Sequence, residues 1–173
     1  MMTQSLFKLT SLNLNGVRSA SRKGLEEWVA KTAPDCMCVQ ELKAQAGDIA
    51  GGLDAIAGMP GYFHFAEKKG YSGVGVYTRH EPSEVIAGFD HGEFDTEGRY
   101  VELRFDTPKR KLSLISSYFP SGSSGELRQS AKFRFLDAIT PYLAELGGSR
   151  EISLSTIKII LWSNNKFLRS INR

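Results

Sequence analysis

Two short apolar runs flank one helical stretch near the start of the chain, and this pattern does most to limit the folds open to it. Residues 6–14 (LFKLTSLNL) are short and largely alternating, as a half-buried strand requires. Asn15-Gly16 then gives a turn signal. Between residues 21 and 31, Leu25, Trp28 and Val29 fall on one face of a helix, and Pro34 stands just past its end. Residues 35–40 (DCMCVQ) form a compact apolar strand. Strand, helix and strand in that order are the pattern of α/β proteins.

The middle of the chain is rich in strands. Residues 62–66, 73–78, 83–87, 100–105 and 111–118 are each short, apolar or alternating, and bounded by Gly, Pro or charged turns. Residues 106–110 (DTPKR) have the composition of a hairpin turn, and residues 121–125 (SGSSG) that of a flexible loop. Phe133, Leu136, Ile139, Leu143 and Leu146 then recur at helical spacing. Thr140-Pro141 is expected to kink that helix or restart it, and Gly147-Gly148 to end it. With 173 residues, the chain has the length of one domain of ordinary size.

Composition narrows the function classes. The 22 Lys and Arg against 19 Asp and Glu give a net charge of +3, compatible with a polyanionic partner without requiring one. No apolar run reaches the ~18 residues of a membrane span, and the first residues lack the pattern of a signal peptide. Cys36 and Cys38, one residue apart, are expected to point to opposite faces of their strand and not to bridge. They read as small core residues in a reducing, cytoplasmic setting. His64, His80 and His91 show neither metal-ligand nor triad spacing.

Three strand-to-loop junctions collect polar groups. They are Asn13 and Asn15, then Gln40, Glu41 and Lys43, then Tyr118 with Pro120 and the Gly/Ser loop. Loops converge at the C-terminal ends of strands in α/β sheets. A carboxylate such as Glu41 at that edge is a hard-oxygen ligand suited to Mg²⁺, with an Asn carbonyl as a neutral second ligand. Lys43 beside it favours a phosphate oxygen. The plainer reading of each remains: a turn, a solvated helix start and a half-buried packing tyrosine.

Beyond these junctions the sequence resembles a known family. Ser11-Leu-Asn13-Leu-Asn15-Gly16-Val-Arg18 and Pro34-Asp35 followed by Val39-Gln40-Glu41-Leu42-Lys43 resemble the first two motifs of the exodeoxyribonuclease III and apurinic/apyrimidinic endonuclease family. Lys69-Gly70-Tyr71-Ser72-Gly73-Val74 and Phe94-Asp95-Thr96-Glu97-Gly98-Arg99 resemble the third and fourth. Ser117-Tyr118-Phe119-Pro120-Ser121-Gly122 is similar to the strand end that carries the family's active-site tyrosine, and Arg128, Lys132 and Phe133 to the helix start after it. The resemblance implies a four-layered α/β sandwich of the endonuclease–exonuclease–phosphatase type. It implies Mg²⁺-dependent hydrolysis of DNA phosphodiesters, with Mn²⁺ as a substitute, on double-stranded DNA with abasic sites or 3′ ends. By motif match, Glu41 would be the main metal ligand, with Asn13 organising metal and phosphate. Asn15 would join the metal shell, where some relatives carry Asp. Tyr118 would sit beside the scissile phosphate, and Lys43, Tyr71 and Arg99 near the DNA-binding face.

The resemblance stops at about residue 152. The family continues with Gly-Asp-x-Asn, whose acidic and amide positions fall here near Ile157 and Ile159, and no Asp occurs beyond residue 137. The last 22 residues contain no Asp or Glu. Residues 1–151 are therefore expected to be the N-terminal part of the nuclease domain, and residues 152–173 a tail produced by frameshift or truncation. The general base, a second metal carboxylate and the catalytic His of the family would be missing, and catalysis impaired. A chain carrying mostly one of the two sheets would expose an apolar sheet face and self-associate. The rival readings are a phosphatase or other phosphodiesterase of the same superfamily, a non-catalytic DNA- or metal-binding remnant, and an adaptor binding nucleic acid through residues 158–173.

Overall fold

A computed structural model describes residues 7–121, 126–156 and 159–162, the last as backbone. β1 (Leu9–Asn13) leads through α1 (Val17–Arg22) and α2 (Leu25–Thr32) to β2 (Cys36–Gln40), which lies parallel to β1. The single expected helix is two helices, because Lys23 ends the first and Gly24 enters the second at φ 89°. Only glycine takes that left-handed conformation freely. Leu25 and Val29 face inward as expected, while Trp28 is 40% exposed.

After α3 (Ala46–Ile49) come β3 (Ala55–Ile56), β4 (Met59–His64) and β5 (Val74–Thr78). They complete a five-stranded sheet in the order β1-β2-β5-β4-β3. The second sheet begins with β6 (Glu84–Ala87), followed by α4 (Gly92–Asp95), β7 (Tyr100–Thr107) and β8 (Arg110–Ser117). β7 and β8 form the expected hairpin over Pro108-Lys109, and the Arg110 backbone N–H donates to Thr107 Oγ1 at 3.0 Å across the turn. α5 (Glu126–Ser149) crosses back to β9 (Glu151–Thr156), parallel to β8, and β10 (Ile159–Trp162) pairs antiparallel with β9. The order is β10-β9-β8-β7-β6.

The two sheets face each other, with helices outside, so the layers run helix, sheet, sheet, helix. The inter-sheet core holds Cys36, Cys38, Val74, Val76, Val101, Leu103 and Leu114. One outer core packs α1 and α2 on the first sheet through Val17, Leu25, Val29, Met37 and Val39. The other packs α5 on the second sheet through Phe135, Ile139 and Leu146 against Tyr100, Ile115 and Leu154, joined by Phe89 and Phe94.

Four expectations are corrected. Cys36 and Cys38 share one face, as residues two apart on a strand must. Both lie in the inter-sheet core as buried free thiols. Second, the chain does not carry mostly one sheet: two five-stranded sheets bury each other's inner faces. The broad apolar face expected to drive self-association is therefore covered among the described residues. A cavity of about 640 Å³ opens at the β1 and β9 side, lined by Leu9, Cys36, Phe105, Leu112, Leu114 and others. Third, α5 runs through Pro141 without restarting, and it ends at Ser149, directly after the expected Gly147-Gly148 stop. Fourth, its buried stripe begins at Phe135, not at Phe133, which is 54% exposed.

Residues 152–156, within the expected tail, continue β9. Ile159 lies in β10. Leu6, most of the Gly/Ser loop, Ile157 and residues 163–173 lie outside the described residues, as does the Arg128 side chain. Among the described residues no helix is long and apolar enough to cross a membrane.

Candidate functional site

The first two junctions form one cluster. β1 and β2 end side by side, and their loops keep pairing through backbone bonds. Leu14 N–H donates to Gln40 C=O at 2.9 Å, Gly16 N–H to Glu41 C=O at 2.8 Å, and Leu42 N–H to Gly73 C=O at 3.1 Å. Glu41 is thus held from both flanks. Asn15, Glu41 and Lys43 take φ of 46°, 55° and 48°, and Ser72 beside them 45°. A non-glycine residue in this region costs about 1–2 kcal/mol, and such strain tends to collect at sites that must present a side chain in a set direction.

Side chains complete the cluster. Asn13 Nδ2 donates to Glu41 Oε1 at 2.7 Å, and Asn15 N–H donates to Asn13 Oδ1 at 2.9 Å. Lys43 Nζ pairs with Glu41 Oε2 at 3.0 Å and also donates to Asn15 Oδ1. Burial pulls the Glu41 carboxyl upward, but hydrogen bonds from Asn13, Lys43 and Tyr118, with the Lys43 charge, outweigh it and leave the group below its ordinary value. The site therefore presents an ionised carboxylate. Burial and the adjoining Glu41 carboxylate push the Tyr118 phenol up to about 12, against the pull of Arg99. Tyr118 keeps its proton at neutral pH.

Gln40 anchors this cluster to the facing sheet. It is fully buried, and its Nε2 donates to Ser116 Oγ of β8 at 3.2 Å and to Ser11 Oγ of β1 at 3.4 Å. Ser116 Oγ donates in turn to Val39 C=O at 3.0 Å. Gln40 is visible in the sequence as a junction residue beside Glu41, but its cross-sheet partner is not.

Tyr71 and Tyr118 belong to a second, adjoining cluster. Tyr71 lies in the loop entering β5, and Tyr118 follows β8. Between them sits Arg99, 2% exposed, below the surface rather than on it. Its Nη1 donates to Tyr118 C=O at 2.9 Å, its Nη2 to Tyr71 Oη at 2.9 Å, and its Nε to Glu97. The Tyr71 hydroxyl donates to Glu97 Oε1 at 3.2 Å. Glu97, to which the sequence reading gave no role, neutralises the buried guanidinium. Lys68, exposed beside this cluster, places Nζ 5.5 Å from the Tyr71 ring centre.

Gly98 explains how this segment reaches the site. At φ 59°, a Cβ there would lie 2.5 Å from the Ala66 backbone nitrogen and 2.8 Å from His64 C=O. Only glycine lets the strand entering β7 press against the end of β4.

Residues 10–150 match the model of the endonuclease/exonuclease/phosphatase family. The chain belongs to that family. It is 31% identical over 148 residues to an exodeoxyribonuclease of Bacillus subtilis, an alignment covering 85% of this chain and 56% of that protein. It is 30% identical over 172 residues to exodeoxyribonuclease III of Haemophilus influenzae, covering 92% and 62% respectively. Against the DNA repair nuclease APEX1 of Danio rerio, identity is 35% over 126 residues, covering 70% and 38%. The chain thus spans roughly 40 to 60% of the length of these relatives. Among solved structures, the catalytic domain of Xenopus laevis APE2 superimposes with a TM-score of 0.70 at 24% identity, over 86% of this chain and 57% of that one. A 3′–5′ exonuclease from Neisseria meningitidis gives 0.71 at 18% identity, over 86% and 56%. These likenesses bear out the α/β sandwich expected from the sequence.

Proposed function

We propose that this chain is the N-terminal part of a cytoplasmic DNA-repair nuclease that hydrolyses DNA phosphodiesters with Mg²⁺ or Mn²⁺, as an abasic-site endonuclease and 3′–5′ exonuclease. The observation that carries the reading is the placement of the Glu41 carboxylate. A left-handed backbone residue holds it beside the Asn13 amide, the Lys43 ammonium and the Tyr118 phenol.

The donor set fits a hard divalent cation. Glu41 supplies a carboxylate, and Asn13 and Asn15 supply amide oxygens on the exposed rim of the same cluster. A cation bound there would neutralise the phosphate oxygens and the leaving oxygen. The chain's own residues position and stabilise. Lys43 meets a phosphate as a point charge, and the protonated Tyr118 hydroxyl donates to developing negative charge. Tyr71 lines the approach, where contacts to the DNA backbone set register rather than read sequence.

Turnover also needs a base to prepare water. The groups around Glu41 are amides, a cation in an ion pair and a phenol that holds its proton, so none fills that role at neutral pH. This favours weak or absent turnover in the chain by itself, with metal and DNA binding retained.

The deciding experiment is cleavage of a duplex carrying one abasic site, with Mg²⁺ or EDTA, for the wild type and Glu41→Ala. Binding of both Mg²⁺ and the duplex without cutting is the expected result, with Mg²⁺ binding lost in Glu41→Ala. Mg²⁺-dependent cutting that Glu41→Ala abolishes would keep the nuclease and overturn its impairment. Preference for inositol phosphates over abasic DNA would move the chain to a phosphatase branch.

A further inference from the structure

We propose that Arg99 is a positioning residue: a buried clamp that fixes Tyr71 and Tyr118, carried by opposite sheets, relative to each other and to the Glu41 cluster. The clamp rests on the reading of Tyr118 as a site residue, and its geometry stands independently of turnover.

Tyr71 belongs to the first sheet's loop and Tyr118 to the end of β8 in the second. Arg99 is the group that reaches both. Its planar fork donates to the Tyr71 hydroxyl and to the Tyr118 carbonyl, both at 2.9 Å. The Arg99 carbonyl accepts from Tyr118 N–H at 2.9 Å and from Ser117 Oγ at 3.0 Å, so the tyrosine is tied by its backbone on both sides. The guanidinium carbon also lies 5.1 Å from the Tyr118 ring centre and 5.8 Å from that of Tyr71. Contact at this range favours the cation over each ring.

A buried cation is retained only when paired and hydrogen-bonded. Glu97 does this: one carboxylate oxygen takes Arg99 Nε and the other takes the Tyr71 hydroxyl. Glu97, Arg99 and Tyr71 close a ring of contacts on which Tyr118 rests. Gly98, between the two charged residues, lets the segment lie against the first sheet at Ala66. The Glu97-Gly98-Arg99 run therefore acts as a latch between the sheets at the edge of the site. A lysine ammonium has three donors, but all on one atom, so Arg99→Lys cannot span the separate positions that Nε, Nη1 and Nη2 reach in the planar fork.

The test uses the full chain labelled with 3-fluorotyrosine and read by ¹⁹F NMR. The six tyrosine signals are assigned by single Phe substitutions. In folded Arg99→Met and Arg99→Lys, the Tyr71 and Tyr118 signals should both move or broaden while Tyr62, Tyr77 and Tyr142 hold theirs. Tyr71→Phe should displace the Tyr118 signal in the wild type and displace it far less in the Arg99→Met background. A general packing role would shift all six signals together and show no such coupling, and either result would overturn the clamp. If Arg99→Met fails to fold, Glu97→Gln tests the same point, since freeing the guanidinium must still move both tyrosines. An unmoved Tyr118 signal there overturns the proposal too. A chain that cuts no abasic DNA yet shows the paired response keeps the clamp, whereas a cutting chain without it loses the clamp alone.

Discussion

Glu102 lies at the centre of β7 with no exposed surface, yet it carries a carboxylate. Ser113 Oγ donates to it at 2.6 Å, Arg104 Nε at 2.8 Å, the Tyr100 hydroxyl at 2.9 Å and the Tyr142 hydroxyl of α5 at 3.4 Å. Burial drives this carboxyl upward, but the bonds from Ser113, Arg104 and Tyr100 outweigh it and hold it below its ordinary value. Its folded pKa is therefore below the unfolded value of about 4.3. The stability it contributes is complete above that value and is lost as pH falls through it toward the folded pKa. Arg104 also pairs with Glu84 at 2.7 Å, so Glu102→Gln leaves no unpaired charge and should cost about 2 kcal/mol at neutral pH through the weaker bonds from Ser113, Arg104 and Tyr100. The deficit should shrink in urea melts under acid conditions, where the wild type loses the same contribution. Parallel stability–pH curves for the two proteins would refute this role. Glu102 also marks what a single sequence conceals. An acid in the alternating run YVELRF reads as the solvated face of a strand, and only the covering helix turns that face into an interior. Asn13, Glu41 and Lys43 were legible because strand ends announce themselves through turn residues. The resemblance places Arg99 near the DNA-binding face, but nothing in its neighbourhood records that Tyr71 closes over it.

At the level of elements, the strands were the readable part. Alternation bounded by Gly, Pro and charged turns located β1, β2 and β4 to β8 to within a few residues, because each has at least one face set by a sheet. The helices were less so. α5 carries two overlapping apolar stripes, one through Phe133 and one through Phe135. The rings of Phe94 and Phe119, each 4.9 Å from Phe135, select the second. Periodicity alone cannot choose between them, since the choice is made by partners distant in sequence. Pro141 suggests a kink or a restart because an interior proline removes one hydrogen bond and crowds the preceding turn. It is exposed, and tertiary packing of Ile139, Tyr142 and Leu146 around it carries the helix through. Interior proline costs up to about 3 kcal/mol relative to alanine, part of which the adapted backbone has already absorbed. Pro141→Ala should therefore raise stability by about 1 kcal/mol, read as a higher urea midpoint with an unchanged slope. A lower midpoint would mean that restricting the unfolded chain outweighs the missing bond.

For the molecule as a whole, the seam between the sheets decides how well the two layers hold together. Near the site it is bridged by polar contacts, with Gln40 reaching Ser116 and His64 Nδ1 bonded to Tyr100 C=O at 2.8 Å. In the middle it is apolar. On the β1 and β9 side it opens into the cavity, where Ser153 and Ser155 line the wall with buried hydroxyls; among the described residues Ser153 has no hydrogen-bond partner, and Ser155 has only the weak one offered by the Cys38 thiol. Register explains why these two face inward. Ser153 pairs with Leu114 and Ser155 with Ser116, both inward-facing, while Leu154 between them packs under α5. A buried hydroxyl left unbonded costs about 1–3 kcal/mol, and each methyl group buried in its place gains about 0.8 kcal/mol. Valine suits a strand, and the cavity leaves room for the added atom. Ser153→Val should thus stabilise the chain by about 1–2 kcal/mol, and Ser155→Val by less because it gives up the contact with the Cys38 thiol, each raising the urea midpoint without touching the Glu41 cluster. Destabilisation by either change would show that cavity water partners the hydroxyls, and the seam on this side would then be a hydrated channel rather than a deficient core.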